Sequence, residues 1–380
     1  MAVLIQNKLP PSAALFLPSL TSSVFLLAEP RKVAEMAGDA VLPASLLGFA
    51  GAGAFMLLSA WVAARHFPAP PLDLFRGLWG KYLGPAFLFS YALFFNGFAF
   101  FTLRSTTELV HQNLLRWTPQ AATALPLLAI AAYLAIGGIE PIARISAFYI
   151  PLLLPIIAFF YLLSLLQADL SNLLPLWGEA QMGKVLFAAY FLASEHARTG
   201  IPIMLLPYLL HTRGFLPLTG VGMFLAATPF LLSQLSSLAH LTARGVLLYN
   251  WPELVAVQMA LPPGFLIEKL DFVFLMAWIF IPCMALGWFL HWAGEGWRQV
   301  FGLQDRRLTV GAASLLTLSS LLPSSYHAVT EMYHYFILLP AGFFSLGFLF
   351  PLLIASLIRG PGDPRRSGKS PAQRKARSKG

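Results

Sequence analysis

The sequence predicts an all-α polytopic membrane protein whose ten transmembrane helices form a 5+5 inverted repeat, with helices 1 and 6 broken. Three observations lead to this fold class. Apolar runs recur about every 30 residues, and each is close to the roughly 20 residues that a helix needs to cross a bilayer core. The chain is 58% hydrophobic and 11% charged, with a mean hydropathy of +0.71. Polar residues interrupt two of the runs at matching places.

The predicted spans cover nearly the whole chain. They are residues 12–29, 40–64, 83–112, 121–137, 145–166, 185–211, 215–241, 268–293, 308–322 and 334–358. The first run is not expected to be a cleaved signal peptide, because its end, Leu27-Ala28-Glu29-Pro30, lacks the small residues of a cleavage site. One membrane domain, 1–358, therefore holds repeat one (about 12–166) and repeat two (about 185–358), and a tail, 359–380, follows.

The distribution of Lys and Arg predicts that both termini face the cytoplasm. Basic residues concentrate in the loops after spans 2, 6 and 8 and in the tail. The tail's eight basic residues, against Asp363, supply +7 of the net charge of +9. Because the tail is also rich in Pro, Gly and Ser, we expect it to be disordered and held near anionic lipid headgroups; nucleic-acid binding is the weaker interpretation. The single cysteine, Cys283, excludes an intrachain disulfide.

The break in span 1 is predicted around Pro18. This proline has no amide donor and disrupts the preceding turn, while the hydroxyl groups of Ser19, Thr21, Ser22 and Ser23 can satisfy the freed backbone groups. Transporters built from inverted repeats bind their substrates mid-membrane, where the first helix of each half unwinds. The hydroxyl residues of this segment are therefore candidate ligand contacts.

The break in span 6 is predicted within Phe191–Pro202, where Glu195, His196 and Arg198 interrupt apolar sequence. A charged residue near the bilayer centre costs about 2.5–3.5 kcal/mol on insertion scales, so each should face a partner or a cavity. The ends of an unwound helix suit the carboxylate and ammonium of a small zwitterion. Glu195 could pair with an ammonium group or carry a proton; an internal ion pair with Arg198 or His196 is equally compatible. Alternatively, 195–199 is a short loop between two shorter spans.

Aromatic residues supply the candidate walls of the pocket. In span 3, Tyr91, Phe94 and Phe98 lie on one helical face, and in span 8 Ala285 and Phe289 recur at helical spacing. Lipid contact and packing are the more common uses of such residues. Arg104 and Glu108, four residues apart, are expected to form a structural pair. The predicted ligand-contacting residues are Thr21, Ser22, Ser23, Tyr91, Phe94, Phe98, Ser194, Glu195, Ala285 and Phe289.

Signatures of catalysis are missing from the sequence. It contains no nucleotide-binding loop, no paired histidines at metal-ligand spacing and no nucleophile elbow. We therefore expect no enzymatic activity, no cofactor and no metal site.

Five segments occur in the order and spacing of a known family. They are Gly137-Gly138-Ile139-Glu140-Pro141-Ile142-Ala143-Arg144, Asp169-Leu170-Ser171-Asn172-Leu173-Leu174-Pro175, Phe191 to Glu195, Trp251-Pro252-Glu253-Leu254, and Phe265-Leu266-Ile267-Glu268-Lys269-Leu270-Asp271. Together they resemble the permease-like membrane subunit of spore nutrient-germinant receptors, the spore germination protein B family of the amino acid–polyamine–organocation superfamily. The similarity runs from about residue 10 to residue 358.

The resemblance implies a leucine-transporter-type fold in the inner membrane of a spore. It also implies a small nutrient, often an amino acid, bound among spans 1, 3, 6 and 8, and assembly with a lipid-anchored subunit and a larger membrane-associated subunit. Two departures stand out. Ser22 and Ser23 occupy a break that usually carries glycines, and Lys269 stands where the family has arginine.

Three functions compete at this point. The first is a receptor subunit in which nutrient binding shifts a conformational equilibrium that partner subunits detect. The second is a secondary transporter of amino acids or amines, coupled to protons through Glu195 or His196. The third and weakest is a channel for water or ions that depends on partners.

Overall fold

The computed structural model describes most of the membrane domain. The described residues are 9–10, 12–13, 15, 27–65, 70–197, 204–205, 208–210, 213–260, 270–341, 343–344, 353–354 and 357. Their regular structure is helical, apart from one isolated parallel bridge between Leu9 and Leu209. The α-helices are α1 Glu29–Ala37, α2 Val41–Arg65, α3 Pro71–Asn113, α4 Gln120–Gly137, α5 Ile139–Gln167, α6 Met182–Ala197, α7 Phe215–Gly245, α8 Pro252–Met259, α9 Leu270–Phe301, α10 Arg306–Leu318 and α11 Tyr326–Phe336.

Six segments within the described residues are long and apolar enough to cross a membrane. They are Val41–Val62, Trp79–Asn113, Gln120–Gly137, Ile139–Gln167, Phe215–Leu248 and Asp271–Phe301. These segments correspond to predicted spans 2, 3, 4, 5, 7 and 8, so the all-helical, multi-pass character of the chain is confirmed. Ten crossings in a 5+5 repeat stay a prediction, because spans 1, 6 and 10 fall partly outside the described residues.

The predicted ends of several spans are wrong, and the first has consequences for the site. Span 1 was expected to end at Glu29, but α1 begins there. A carboxylate and a proline in the first turn are favourable at a helix start, because the free amides there are positive and Pro30 needs no donor. In span 6, α6 is helical through Ala197, and the rest of the segment in which the break is predicted, 198–202, lies outside the described residues.

Helix α3 is interrupted near its beginning. Gly80 has a φ of 82°, a left-handed conformation that glycine adopts without the steric cost of a Cβ atom. The interruption separates a short N-terminal segment, whose Phe75 is buried, from the membrane span that follows. The predicted span 3 began at residue 83 and missed this segment.

One end of the helix bundle, called here the seam end, is defined by the connection between α5 and α6. It contains the connection 168–181, whose Asn172 side chain donates to the carbonyl of Ala239, 2.9 Å away. Arg31 of α1 donates to Asn250 at 2.8 Å. From the interior, α1 runs towards the seam end, whereas α6 runs from the seam end inwards. Their inner ends meet inside the bundle, and this meeting point positions the site.

Candidate functional site

The inner ends of α1 and α6 are joined by an acid–imidazole pair. The Glu29 Oε1 and His196 Nε2 atoms are 2.5 Å apart, and both side chains are fully buried. The rings of Phe49 and Phe230 lie 4.8 and 4.4 Å from the imidazole. Ionisable groups in such apolar surroundings are tolerated when they are paired, and this pair links residues of two helices that are 167 positions apart in the sequence. The sequence analysis did not propose Glu29 for the site.

Glu195 occupies the neighbouring position on α6 and has different partners. Its side chain is fully buried, and the Tyr333 hydroxyl donates to Oε1. The Lys32 ammonium lies 3.9 Å from the centroid of the Tyr333 ring and interacts electrostatically with Glu195. The second carboxylate oxygen, Oε2, has no hydrogen-bond partner among the described residues.

The predicted alternative of an ion pair between Glu195 and His196 is wrong, because the imidazole bonds Glu29 instead. Adjacent residues on a helix point in directions about 100° apart, so the two side chains reach different neighbours. Arg198, the other predicted partner, lies outside the described residues.

The predicted aromatic residues of α3 and α9 pack together in the interior. Tyr91 and Phe94 have ring centroids 5.7 Å apart, and Phe94 and Phe98 are 4.8 Å apart. Phe98 stacks on Phe289 at 5.3 Å and touches Phe336 of α11 at 5.2 Å. All of them except the partly exposed Phe336 are buried, so lipid contact, the more common use of such residues, does not apply to them. We call these five residues the aromatic cluster.

The aromatic cluster is connected to Glu195 through α11. Phe101 lies 5.1 Å from the Tyr333 ring and 5.1 Å from the Phe336 ring. Tyr333 therefore contacts the carboxylate on one side and the aromatic residues of α3 on the other. This arrangement brings Glu195 close to the predicted aromatic wall.

The remaining predicted residues are accounted for as follows. Ser194 is buried, and its hydroxyl has no hydrogen-bond partner among the described residues. Ala285 is fully buried one turn before Phe289. Thr21, Ser22 and Ser23 lie outside the described residues. Ligand contact by any predicted residue stays a prediction, whereas burial is observed for the described ones.

A second buried polar group lies on α5, α7 and α8. The Tyr161 hydroxyl donates to Glu253 Oε2 at 3.2 Å, and the hydroxyls of Ser164 and Ser236 are 2.6 Å apart. Gln234 is fully buried, and neither of its amide atoms has a hydrogen-bond partner among the described residues. Glu253 lies on α8, outside the six candidate spans, and loss of water around it raises the pKa of its carboxyl, which favours the neutral form.

Sequence reasoning missed Glu29, Lys32 and Tyr333. Glu29-Pro30 could have been recognised as a helix start, since an acidic residue and a proline favour the first turn. Tyr333 lies in α11, which starts eight residues before the predicted span 10; the Ser325 side chain accepts a hydrogen bond from the amide of Ala328 and caps it. Polar residues in the first turns hide this helix from a hydropathy search.

The arrangement has two chemical capacities. Glu29 and Glu195 provide two buried carboxylates beside the aromatic wall, and Lys32 provides an ammonium group that balances one of their charges. This set of groups suits a small molecule that carries an ammonium group. The Glu29–His196 pair also places a carboxylate and an imidazole within hydrogen-bond distance, so the two groups can share a proton.

Buried ionisable side chains at the meeting point of two helices, inside a bundle of apolar spans, are typical of a polytopic membrane permease. The comparisons agree. A family model described as spore germination protein (spore permease) matches residues 26–329, and the chain belongs to this family.

Curated relatives and a solved structure are consistent with this assignment. The chain is 24% identical to spore germination protein A2 of Bacillus subtilis over 305 residues, which is 79% of this chain and 82% of that protein. It is 22% identical to spore germination protein YndE of the same organism over 308 residues, 80% and 84% of the two chains. The chain is thus a germination-related, permease-like membrane protein rather than an enzyme.

The structure resembles that of Mhp1, a nucleobase-cation-symport-1 family transporter in a closed conformation with bromovinylhydantoin bound. The TM-score is 0.62 at 16% identity, and the match covers 93% of this chain and 79% of the transporter. At this identity the likeness concerns the fold.

Proposed function

We propose that the chain is the permease-like subunit of a spore nutrient-germinant receptor and that it binds a small nutrient, an amino acid, inside the membrane. In this proposal ten helices cross the spore inner membrane as a 5+5 inverted repeat, with both termini in the cytoplasm. Helices α1 and α6 are halves of the two interrupted helices. A lipid-anchored subunit and a larger membrane-associated subunit complete the receptor, and family membership supports this assembly.

The observation that carries the proposal is the position of Glu195. Its carboxylate is fully buried at the inner end of α6, and Oε2 has no hydrogen-bond partner among the described residues. A carboxylate oxygen without a donor is costly inside a membrane protein, and an ammonium group would satisfy it with a charge-assisted hydrogen bond. The neighbouring Ser194 hydroxyl is also buried and without a partner in the described residues.

The aromatic cluster is expected to rearrange when a ligand binds. Its rings touch one another at centroid distances of 4.8–5.7 Å from Tyr91 to Phe289. A ligand that contacts both Glu195 and these rings must separate some of them. Binding therefore favours a more open arrangement of α3, α9 and α11, and partner subunits can respond to that change in population.

A thermal-shift screen of the purified protein against amino acids, sugars and nucleosides tests the proposal. A ligand present at 100 times its Kd stabilises the folded state by about 2.7 kcal/mol, so binders are identified by a raised unfolding temperature. We expect hits among the amino acids. If no compound in these classes shifts the transition, nutrient binding by this chain is refuted.

The variant Glu195→Gln tests the role of the carboxylate, and Glu179→Gln, in the exposed seam connection, is its matched control. Gln keeps an oxygen that can accept from Tyr333 but carries no charge. We expect at least a tenfold loss of affinity for amino acids, about 1.4 kcal/mol, in Glu195→Gln alone. Equal affinities in both variants would remove Glu195 from the site.

A second candidate function, proton-coupled transport of amino acids or amines, is favoured by the buried Glu29–His196 pair. Such a pair can take up and release a proton as the surrounding helices move. Uptake of labelled amino acid into proteoliposomes containing this chain alone, driven by a pH gradient, would favour the transporter over the receptor subunit.

A further inference from the structure

A cavity of about 470 Å³ opens at the seam end between α1, α6, α11 and the turn before α8. Residues that line it include Arg31, Lys32, Glu35, Phe187, Asn250 and Glu331. Small-molecule pockets typically have volumes of roughly 300–1,000 Å³, so a free amino acid fits with room for water. We call it the seam-end cavity. None of the residues predicted from sequence to contact a ligand lines it.

Two pairs of oppositely charged side chains line the seam-end cavity, and one of these pairs is held in place by its own contacts. Arg31 is held by Glu35 at 2.9 Å and by Asn250 at 2.8 Å, so it forms part of the wall. Lys32 and Glu331 project from two different helices, α1 and α11. Glu331 is exposed, and it forms no hydrogen bond or ion pair with the described residues. The cavity thus offers one cationic and one anionic group from separate helices.

The side chains of Lys32 and Tyr333 connect the seam-end cavity to Glu195, and we call them the floor of the cavity. Lys32 lines the cavity, its ammonium lies 3.9 Å from the Tyr333 ring, and the Tyr333 hydroxyl donates to Glu195. One face of α6 also leads from the seam-end cavity to Glu195, because residues four apart share a helical face. Phe187 lines the cavity, Phe191 stacks on His334 with centroids 5.5 Å apart, and Glu195 lies one turn deeper.

We infer that the seam-end cavity is an entry site for a free α-amino acid, in which Lys32 binds the carboxylate and Glu331 binds the ammonium. This inference rests on the proposed nutrient-binding function and deepens it. Lys32 also closes the floor of the cavity, and a carboxylate bound on the cavity side draws its ammonium away from Tyr333. The contact between Lys32 and Tyr333 above Glu195 then opens, and the ligand's ammonium group can move on to the Glu195 carboxylate.

Electrostatics explains why both charges of the ligand are needed. Lys32 is attracted by Glu195 of α6 and by Glu29 and Glu35 of its own helix. A ligand without a carboxylate adds no competing attraction on the cavity side and leaves the floor closed. A ligand without an ammonium group is repelled by Glu331 and by the carboxylates below. The site therefore selects a zwitterion over the corresponding ester or N-acetyl derivative.

The test measures the association rate of amino acids with the full-length protein in nanodiscs. The probes are the twenty common L-amino acids and, for each that binds, its methyl ester and its N-acetyl derivative. The variants are Lys32→Met and Glu331→Gln. Their matched controls are Lys184→Met and Glu179→Gln, which change exposed residues of the same type at the seam end.

We expect Lys32→Met to slow association of the amino acid at least tenfold and to remove the advantage of the acid over its methyl ester. Glu331→Gln should slow it several-fold and remove the advantage over the N-acetyl form, while both controls keep wild-type rates. Glu331 is exposed, so its variant folds even if loss of Lys32 unfolds the protein, and wild-type kinetics in Glu331→Gln would then overturn the inference.

The outcomes separate this inference from the proposed function. If amino acids bind the wild type and Glu195→Gln weakens them, but Lys32→Met and Glu331→Gln associate at wild-type rates, the entry site is refuted and the interior site stands. If none of the twenty amino acids binds the wild type, both are refuted.

Discussion

Replacing Tyr333 by Phe tests the contact on which the interior site depends. The substitution removes the hydroxyl that donates to Glu195 but keeps the ring that lies under Lys32 and beside Phe101. Glu195 is fully buried and its Oε2 atom has no hydrogen-bond partner in the described residues, so the carboxylate loses a donor that nothing visible replaces. A hydrogen bond to a charged group contributes about 1.5–3 kcal/mol. The unfolding equilibrium constant should therefore rise by roughly 10- to 150-fold.

The assay is denaturant-induced unfolding in detergent micelles, with the midpoint and slope measured for wild type and variants. Tyr335→Phe is the matched control, because Tyr335 lies two residues further along the same helix and is 61% exposed. We expect the control to stay within about 0.5 kcal/mol of wild type. A double-mutant cycle with Glu195→Gln completes the test: on that background the cost of Tyr333→Phe should fall to about 0.5–1.5 kcal/mol, the value of a neutral hydrogen bond. Equal stabilities of Tyr333→Phe and Tyr335→Phe would refute the reasoning.

Two further predictions concern the packing and charge of α1, α2 and α6. Gly48→Ala should destabilise the protein by about 1–3 kcal/mol in a denaturation experiment, because the new Cβ would lie 2.5 Å from a Cβ atom of α6. Gly53→Ala in the same helix is the control: its new Cβ meets nothing within 4 Å, so this variant should be neutral or slightly stabilising. Glu29→Ala should lower the free energy of unfolding by about 3–5 kcal/mol, since it leaves His196 buried without its carboxylate. Glu35→Ala, which breaks a partly exposed pair, should lower it by at most about 1 kcal/mol. Similar losses of stability in the two variants would contradict the buried pair.

The apolar runs were sufficient to predict the helical, multi-pass fold, because membrane-crossing length is encoded locally in the sequence. Helix ends were less predictable. Short helices with polar first turns, such as α11, satisfy their end groups by capping and packing, which hydropathy does not detect. Glu29 shows the difficulty directly: its role depends on His196, and a contact across 167 residues leaves no local pattern.

Helical periodicity was sufficient to predict which residues share a face, whereas ligand contact by these residues stays a prediction. Tyr91, Phe94 and Phe98 share a face, and that face is the interior one. Arg104 and Glu108 form the expected pair at 3.3 Å for the same reason. The partners of Glu195 could not be predicted, because Tyr333 and Lys32 are supplied by two other helices whose packing depends on the whole fold.

The central claim is that a nutrient binds where α1 and α6 end inside the membrane. An experimental structure of the protein in nanodiscs, with a saturating amino acid identified in the screen, tests it most directly. We predict ligand density beside Ser194 and Glu195, facing Phe98. Ligand density away from Glu195 would contradict the account.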